Sequence, residues 1–185
     1  DKGLKSVENP SEILLSGRPA DSSGTCAACI VEGTRPILAE IQALVSKSLY
    51  NPSRRTNGID YNRASMLIAV LEKRGNVPVS GCDIYINVIG GLNIDEPAAD
   101  LAVVLSIASS YRDKAIPDDL VAIGEVGLTG ELRSVTQLEQ RLSEIKRLGF
   151  TKCVIPAQRK KLLNIPDGLK IYEVKSIKEA FSLLL

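Results

Sequence analysis

No histidine occurs anywhere in the 185 residues. The commonest general base and the commonest metal ligand are therefore both missing. Neither a Ser-His-Asp nor a Cys-His mechanism can be assembled from this chain, and a hydrolytic nucleophile would need a lysine, a carboxylate or a terminal amine as its partner. Tryptophan is also absent, and aromatics make up only 4% of the residues. The core must then be built from Val, Ile, Leu and Ala, and the stacking aromatics of a single-strand nucleic-acid binder are scarce. No run of about 18 apolar residues is present, so nothing is expected to span a membrane. The leading stretch "DKGLKSVENPSEILLSGRP" lacks the basic-then-apolar order of a secretion signal. A cytoplasmic protein is expected.

Cysteine is sparse: Cys26, Cys29, Cys82 and Cys153. The first two form "CAAC", but they lie in "TCAACIVEG", which reads as a strand. Residues three apart on a strand face opposite sides, and no second pair or histidine completes a set of four ligands. Buried, unreactive thiols are expected, and no metal.

What is present is an ordinary globular composition, 44% hydrophobic and 24% charged, with a net charge of +1. One domain of this length needs no staples. The charge is unevenly spread. Pro52 to Arg74 holds five basic and two acidic residues, and Arg133 to Lys161 holds eight and two. These segments form a basic patch if the fold brings them together; otherwise they are two solvated helix faces.

Residues 1–23 are polar and turn-rich, as in a leading arm, and 24–185 read as a single domain. "GTCAACIVEGTRPILAEIQALVS" suggests a hairpin, with Glu40 and Gln42 on one partly exposed face. "YNPSRRTNGID" reads as a loop ending at Asp60, a helix N-cap for "YNRASMLIAVLEKRG", which Gly75 can end. "CDIYINVI" alternates as a strand, and Leu101 to Ile107 is apolar all round, as in a buried helix. "VAIGEVGLTGELRSV" suggests two short strands around Gly127 and Gly130. An amphipathic helix follows with Leu138, Leu142, Ile145 and Leu148 on one stripe. Strands at "KCVIP" and "KIYEV" and a helix capped by Ser176 complete the chain. This order predicts an α+β sandwich with mixed sheets and packed helices, not a doubly wound sheet.

No phosphate loop of the form G-x-x-x-x-G-K-[ST] occurs, and "VIGGLN" lacks the third glycine of a dinucleotide site. The succession "VIGGLNIDEPAADLAVVLSIASS", "AIGEVGLTGELRSV", "QLEQRLSEIKRLGF" and "CVIP" resembles Lon-type proteolytic domains. Together with "NPSEILL" and "RRTNGIDYNRASMLIAVLEKR" it is most similar to the C-terminal Lon-like domain of the RadA (Sms) family of bacterial DNA-repair proteins. The resemblance implies a fold shared with Lon proteolytic domains and with a ribosomal-protein domain (domain-2-like). It also implies a longer protein with a zinc motif and a RecA-like ATPase. ATP, Mg and Zn are expected in those other domains, and no cofactor is expected here.

Lon proteases use a Ser-Lys dyad. By resemblance, "EPAAD" takes the place of the serine turn, with Pro97 at its proline, Ala98 at the serine, and Glu96 and Asp100 at the flanking glycines. The lysine follows a "GGL", matched here by "TQLEQR", which puts Glu139 at the lysine. Alanine has no nucleophilic atom and a carboxylate cannot act as a low-pKa amine. The acidic trio Asp95, Glu96 and Asp100 would repel an oxyanion. Its simplest role is to cap and complement the helix that follows; its alternative is a salt-bridging surface for a neighbouring subunit. Glu139 is expected on the solvated side of its helix.

The resemblance implies a hexameric ring scaffold and a DNA-contacting surface, and the residues allow both. Arg54, Arg55 and Arg63 lead the DNA candidates, then Lys73 and Arg74. A second group is Arg133, Arg141, Lys146 and Arg147, the last three expected on the polar side of their helix. Guanidinium groups suit phosphate contacts, and no base-reading motif is evident. Double-stranded or branched DNA, bound through its backbone, is the expected partner. A pure oligomerisation module is the alternative. A peptidase with a relocated nucleophile, Ser106 or Ser134, is the remaining one.

Overall fold

The computed structural model describes residues 11–12, 15–162 and 164–185. A long hairpin, β1 (Thr25–Glu32) and β2 (Arg35–Lys47), leads into β3 (Arg54–Asn57), α1 (Tyr61–Gly75) and β4 (Cys82–Val88). After a 3-10 turn at Pro97–Ala99 come α2 (Asp100–Arg112), β5 (Leu120–Ala122), β6 (Glu125–Val126) and β7 (Leu132–Arg133). The rest is α3 (Leu138–Arg147), β8 (Lys152–Pro156), β9 (Lys170–Val174) and α4 (Ile177–Leu184).

Seven strands form one sheet in the order β3-β4-β2-β1-β5-β8-β9, and β6 and β7 form a separate ribbon. Two pairings in the large sheet are antiparallel, β1 with β2 and β2 with β4. The other four are parallel. The fold is therefore mixed α/β, and the mixed sheet and packed helices agree with expectation; what differs is that most pairings are parallel and lie in one large sheet, not a sandwich. The reason is a strand hidden at the front of one segment. Leu120–Ala122 precedes the short ribbon and enters the large sheet between β1 and β8. α3 lies on the crossover from β5 to β8 that parallel neighbours require.

The two-residue period of the strands sorts side chains into two cores. Cys26, Ala28 and Ile30 face the core that α1, α2 and α4 cover, while Ala27, Cys29 and Leu38 face the one under α3. The two "CAAC" thiols thus lie on opposite faces, as the strand reading expects. Burial pushes the Cys26 and Cys29 thiols up to about 12, and Cys153 well above its ordinary value. α2 is buried from Asp100 to Ser109 because it lies between the sheet, α1 and α4. Each large side chain buried there contributes about 1.5–3 kcal/mol.

Asp60 caps α1 by accepting the Arg63 N–H at 2.9 Å. The helix runs through Gly75 and ends on Asn76, which takes the left-handed conformation and donates to the Leu71 carbonyl. Gly75 is there for space: a Cβ would sit 2.8 Å from Cε2 of Phe181 on α4. Ser176 caps α4 by accepting the Glu179 N–H at 3.2 Å.

Two local expectations change. The arginine-bearing "loop" contains β3, an edge strand parallel to β4; its four residues are too few to show a period among the turn residues around them. Glu40 is buried, not on an open face. It accepts from the Thr25 hydroxyl at 2.5 Å, with the Arg18 guanidinium 3.9 Å away. Arg18 reaches this spot from the proposed arm, whose residues 1–10, 13 and 14 lie outside the described residues. It also donates to the Asp118 carbonyl and lies 5.6 Å over the Phe150 ring.

Candidate functional site

The end of β1, the Pro97–Ala99 turn, β6 and α3 converge on one corner. Ala98 is buried in the turn. Its carbonyl accepts the Gly124 N–H at 2.9 Å, and the Leu101 N–H donates to the Gly124 carbonyl at 3.1 Å. The turn is thereby fastened across the start of α2, with no side-chain nucleophile in it.

Asp100, on one side of the turn, is buried. Its carboxylate accepts the Val126 N–H and Arg63 Nε, each at 3.0 Å, and a second bond from Arg63 Nη2. Burial pushes the Asp100 carboxyl up, while the Arg63 and Val126 bonds oppose it. The bond to Asp100 in turn holds Arg63 above its ordinary range. Glu96, on the other side, accepts the Val31 N–H at 2.6 Å and bonds to Arg141 Nη2. Arg141 is fully buried. Its Nη1 donates to the Cys29 carbonyl and its Nε to the Thr136 carbonyl, both at 2.9 Å.

The capping role expected of the acidic trio is therefore corrected for two members. The N-cap position of α2, Ala99, makes no side-chain cap bond. Glu96 and Asp100 instead bind an arginine and a backbone amide each. Asp95 remains exposed and lines, with Asp60, Arg63 and Asp100, a cleft of about 240 Å³ beside the turn. Glu139 is half-buried on the first turn of α3 and accepts from Asn164 Nδ2 at 3.0 Å. Just before it, Gln137 holds φ +54°, a left-handed conformation that costs a non-glycine residue about 1–2 kcal/mol. Ser106 is buried and donates to the Ala102 carbonyl at 2.7 Å, one turn back, and Ser134 is exposed after β7. Among the described residues, no group of three or more His, Cys, Asp or Glu could hold a metal ion, and no helix is long and apolar enough to cross a membrane.

The nine basic candidates do not form one patch. Arg141 is a correction: it is on the buried stripe of α3, because its guanidinium satisfies the corner from inside. Arg63 is committed to Asp100. Arg54 and Arg55 are adjacent on β3 and point to opposite faces. Arg54 turns in to the Cys82 carbonyl at 2.5 Å, and Arg55 stays exposed on the face it shares with Tyr85. Arg133 pairs with Glu131 and Arg147 with Glu144 on the surface. Lys146, half-buried, lies against Gly168. Among the described residues Arg55, Lys73, Arg74 and Lys146 have no carboxylate partner. Sequence reasoning missed Tyr50 and Leu49, which are 92% and 87% exposed at the tip after β2. It also missed Lys178, which the packing of α4 against α1 brings beside Lys73 and Arg74, and Arg112, which lines a neighbouring cleft with Lys178.

The chain belongs to the family of Lon protease (S16) C-terminal proteolytic domains, whose model matches residues 66–185. Within that class its likeness is to the DNA repair protein RadA. It is 49% identical over 181 residues to RadA of Bacillus subtilis (strain 168), and 46% identical over 181 residues to that of Listeria monocytogenes; each match covers 97% of this chain and 40% of the relative. It is 44% identical over 178 residues to RadA of Streptococcus pneumoniae, covering 96% of the chain and 42% of the relative. The chain thus spans about two fifths of the relatives' length, as fits the C-terminal domain of a RadA-type protein. Their name is that of a DNA repair protein, not of a protease.

Proposed function

We propose that this is a noncatalytic Lon-like domain of a RadA-type DNA repair protein that holds the phosphate backbone of DNA and helps scaffold a hexameric ring in the cytoplasm. The observation that carries the first part is the closed corner. Both positions that the resemblance equates with flexible glycines hold carboxylates clasped by arginines, and the position equated with the serine is a buried alanine. A turn fastened in this way offers no side-chain nucleophile. The exposed cations Arg55, Lys73 and Arg74, with the half-buried Lys146, support the second part, because arginine and lysine are prominent among the groups that contact phosphate oxygens. ATP turnover belongs, in this reading, to the remainder of such a protein.

Fluorescence-anisotropy titrations of the 185-residue chain with duplex and branched DNA over a salt series, paired with its solution mass, test this reading. Binding that weakens steeply with salt is expected. The alternative, a pure assembly module, is favoured by the exposed Leu49, Tyr50 and Leu128. Rings without measurable DNA binding would establish that alternative. Labelling of one serine by a serine-reactive probe would instead establish a peptidase.

A further inference from the structure

Lys73 and Arg74 close the last turn of α1, and Lys178 opens α4. These helix ends meet the β6–β7 turn at a cleft of about 270 Å³, whose walls include Lys73, Arg74, Lys178, Thr129, Gly130 and Ser176. Among the described residues, no carboxylate lines it and none of the three cations has an ion-pair partner. The walls are fixed by the backbone: the Ile177 N–H donates to the Gly130 carbonyl at 2.9 Å, and Glu131 bridges to Ser176. Gly130, at φ +80°, lets the Arg74 stem lie against the turn; a Cβ there would come within 2.9 Å of the Arg74 Cβ. Ser176 accepts the Glu179 N–H, so its hydroxyl hydrogen is free to donate into the cleft.

Three unneutralised cations around one rigid cleft repel each other, and an anion there relieves that repulsion. The donor set is an arginine fork, two ammonium groups, a hydroxyl and the positive end of α4, set against the carbonyl end of α1, whose partial negative charge Lys73 and Arg74 outweigh. It suits a compact ion with several oxygens more than a planar carboxylate. A neighbouring cleft shares Asn76 and Lys178 and adds Arg112, whose guanidinium lies 5.5 Å over the Phe181 ring. The positive lining therefore continues along the two helix ends. We propose that this cleft binds phosphate groups, and that it carries the DNA track across the ends of α1 and α4. The second half rests on the proposed function above; the first does not.

NMR titration of the 185-residue chain, once with inorganic phosphate and once with a short duplex, separates the two. Both ligands are expected to shift the Gly130 and Lys178 amides. The K73A/K178A variant loses these shifts and binds the duplex severalfold more weakly, with a salt slope shallower by about 0.9 for each phosphate no longer neutralised. The charge-keeping K73R/K178R variant retains both. A duplex bound with unchanged affinity by K73A/K178A, and without cleft shifts, would overturn the cleft and leave DNA binding elsewhere intact. Phosphate shifts without any duplex binding by the wild-type chain would support the cleft for a free phosphate ester and overturn the DNA track. Silence of the cleft toward both ligands would overturn the proposal altogether.

Discussion

Arg141→Met removes the cation at the centre of the corner while nearly keeping its apolar volume. The side chain is fully buried and serves three acceptors, the Glu96 carboxylate and the carbonyls of Cys29 and Thr136. Breaking a buried ion pair costs about 3–5 kcal/mol, and each buried acceptor left without a donor costs about 1–3 kcal/mol. Glu96 keeps the Val31 amide and its side chain is 25% exposed, so it is partly rescued by water. A net loss of about 3 kcal/mol follows, near the low end of the ion-pair range. Urea unfolding of the wild-type chain, Arg141→Met, Glu96→Gln and the double variant, followed by circular dichroism, measures it. The cycle should return a coupling between Glu96 and Arg141 of about 1–3 kcal/mol. A loss below about 1 kcal/mol, the size of a surface pair, would refute the reasoning. That result, with weakened DNA binding, would return Arg141 to the DNA-facing group in which its sequence position placed it.

Arg63→Met leaves Asp100 buried without its cation, so the carboxyl rises further above its ordinary value. Its folded-state pKa then exceeds the unfolded one, so the penalty is full at neutral pH and shrinks as pH falls through the folded pKa; a pH-independent stability difference from wild type in urea titrations would contradict the clasp. Gly75→Ala sets a methyl group against Phe181 and should cost about 1–3 kcal/mol, part of it recovered by Phe181→Leu; thermal melts of the two variants decide. Gln137→Gly relieves a left-handed non-glycine residue. After the extra entropy of glycine in the unfolded chain, it should stabilise the protein by up to about 1 kcal/mol, read as a raised urea midpoint.

Most of the elements were legible because their signals are local. The capping by Asp60 and Ser176, the apolar stripe of α3 and the all-round apolar α2 each follow from a few neighbouring residues. β3 was not legible, since four residues amid turn formers carry no period, and β5 was absorbed into the ribbon that follows it. Sheet order was hidden for the same reason: the parallel pairing of β1 with β5 joins residues far apart in sequence. In the corner, the identities of Ala98, Glu96 and Asp100 were readable, but their partners were not. Arg141 falls on the i, i+3, i+4, i+7 stripe with Leu138, Leu142 and Ile145, so its inward position was legible from spacing; its charge argued for the solvated face instead. Only the tertiary convergence of the Glu96 carboxylate and the Cys29 and Thr136 carbonyls on its guanidinium makes a buried arginine favourable there. The same long-range logic hid Lys178 and Arg112.

The most direct test sets the two classes of basic residue against each other in one series. Duplex affinity and its salt dependence would be measured for the wild-type chain, for R55A/K73A/R74A and for R63M/R141M, each normalised to its folded fraction. The account predicts a severalfold or greater loss and a shallower salt slope for the first variant, and wild-type affinity per folded molecule for the second. Unchanged binding by R55A/K73A/R74A, together with a loss confined to R63M/R141M, would contradict it.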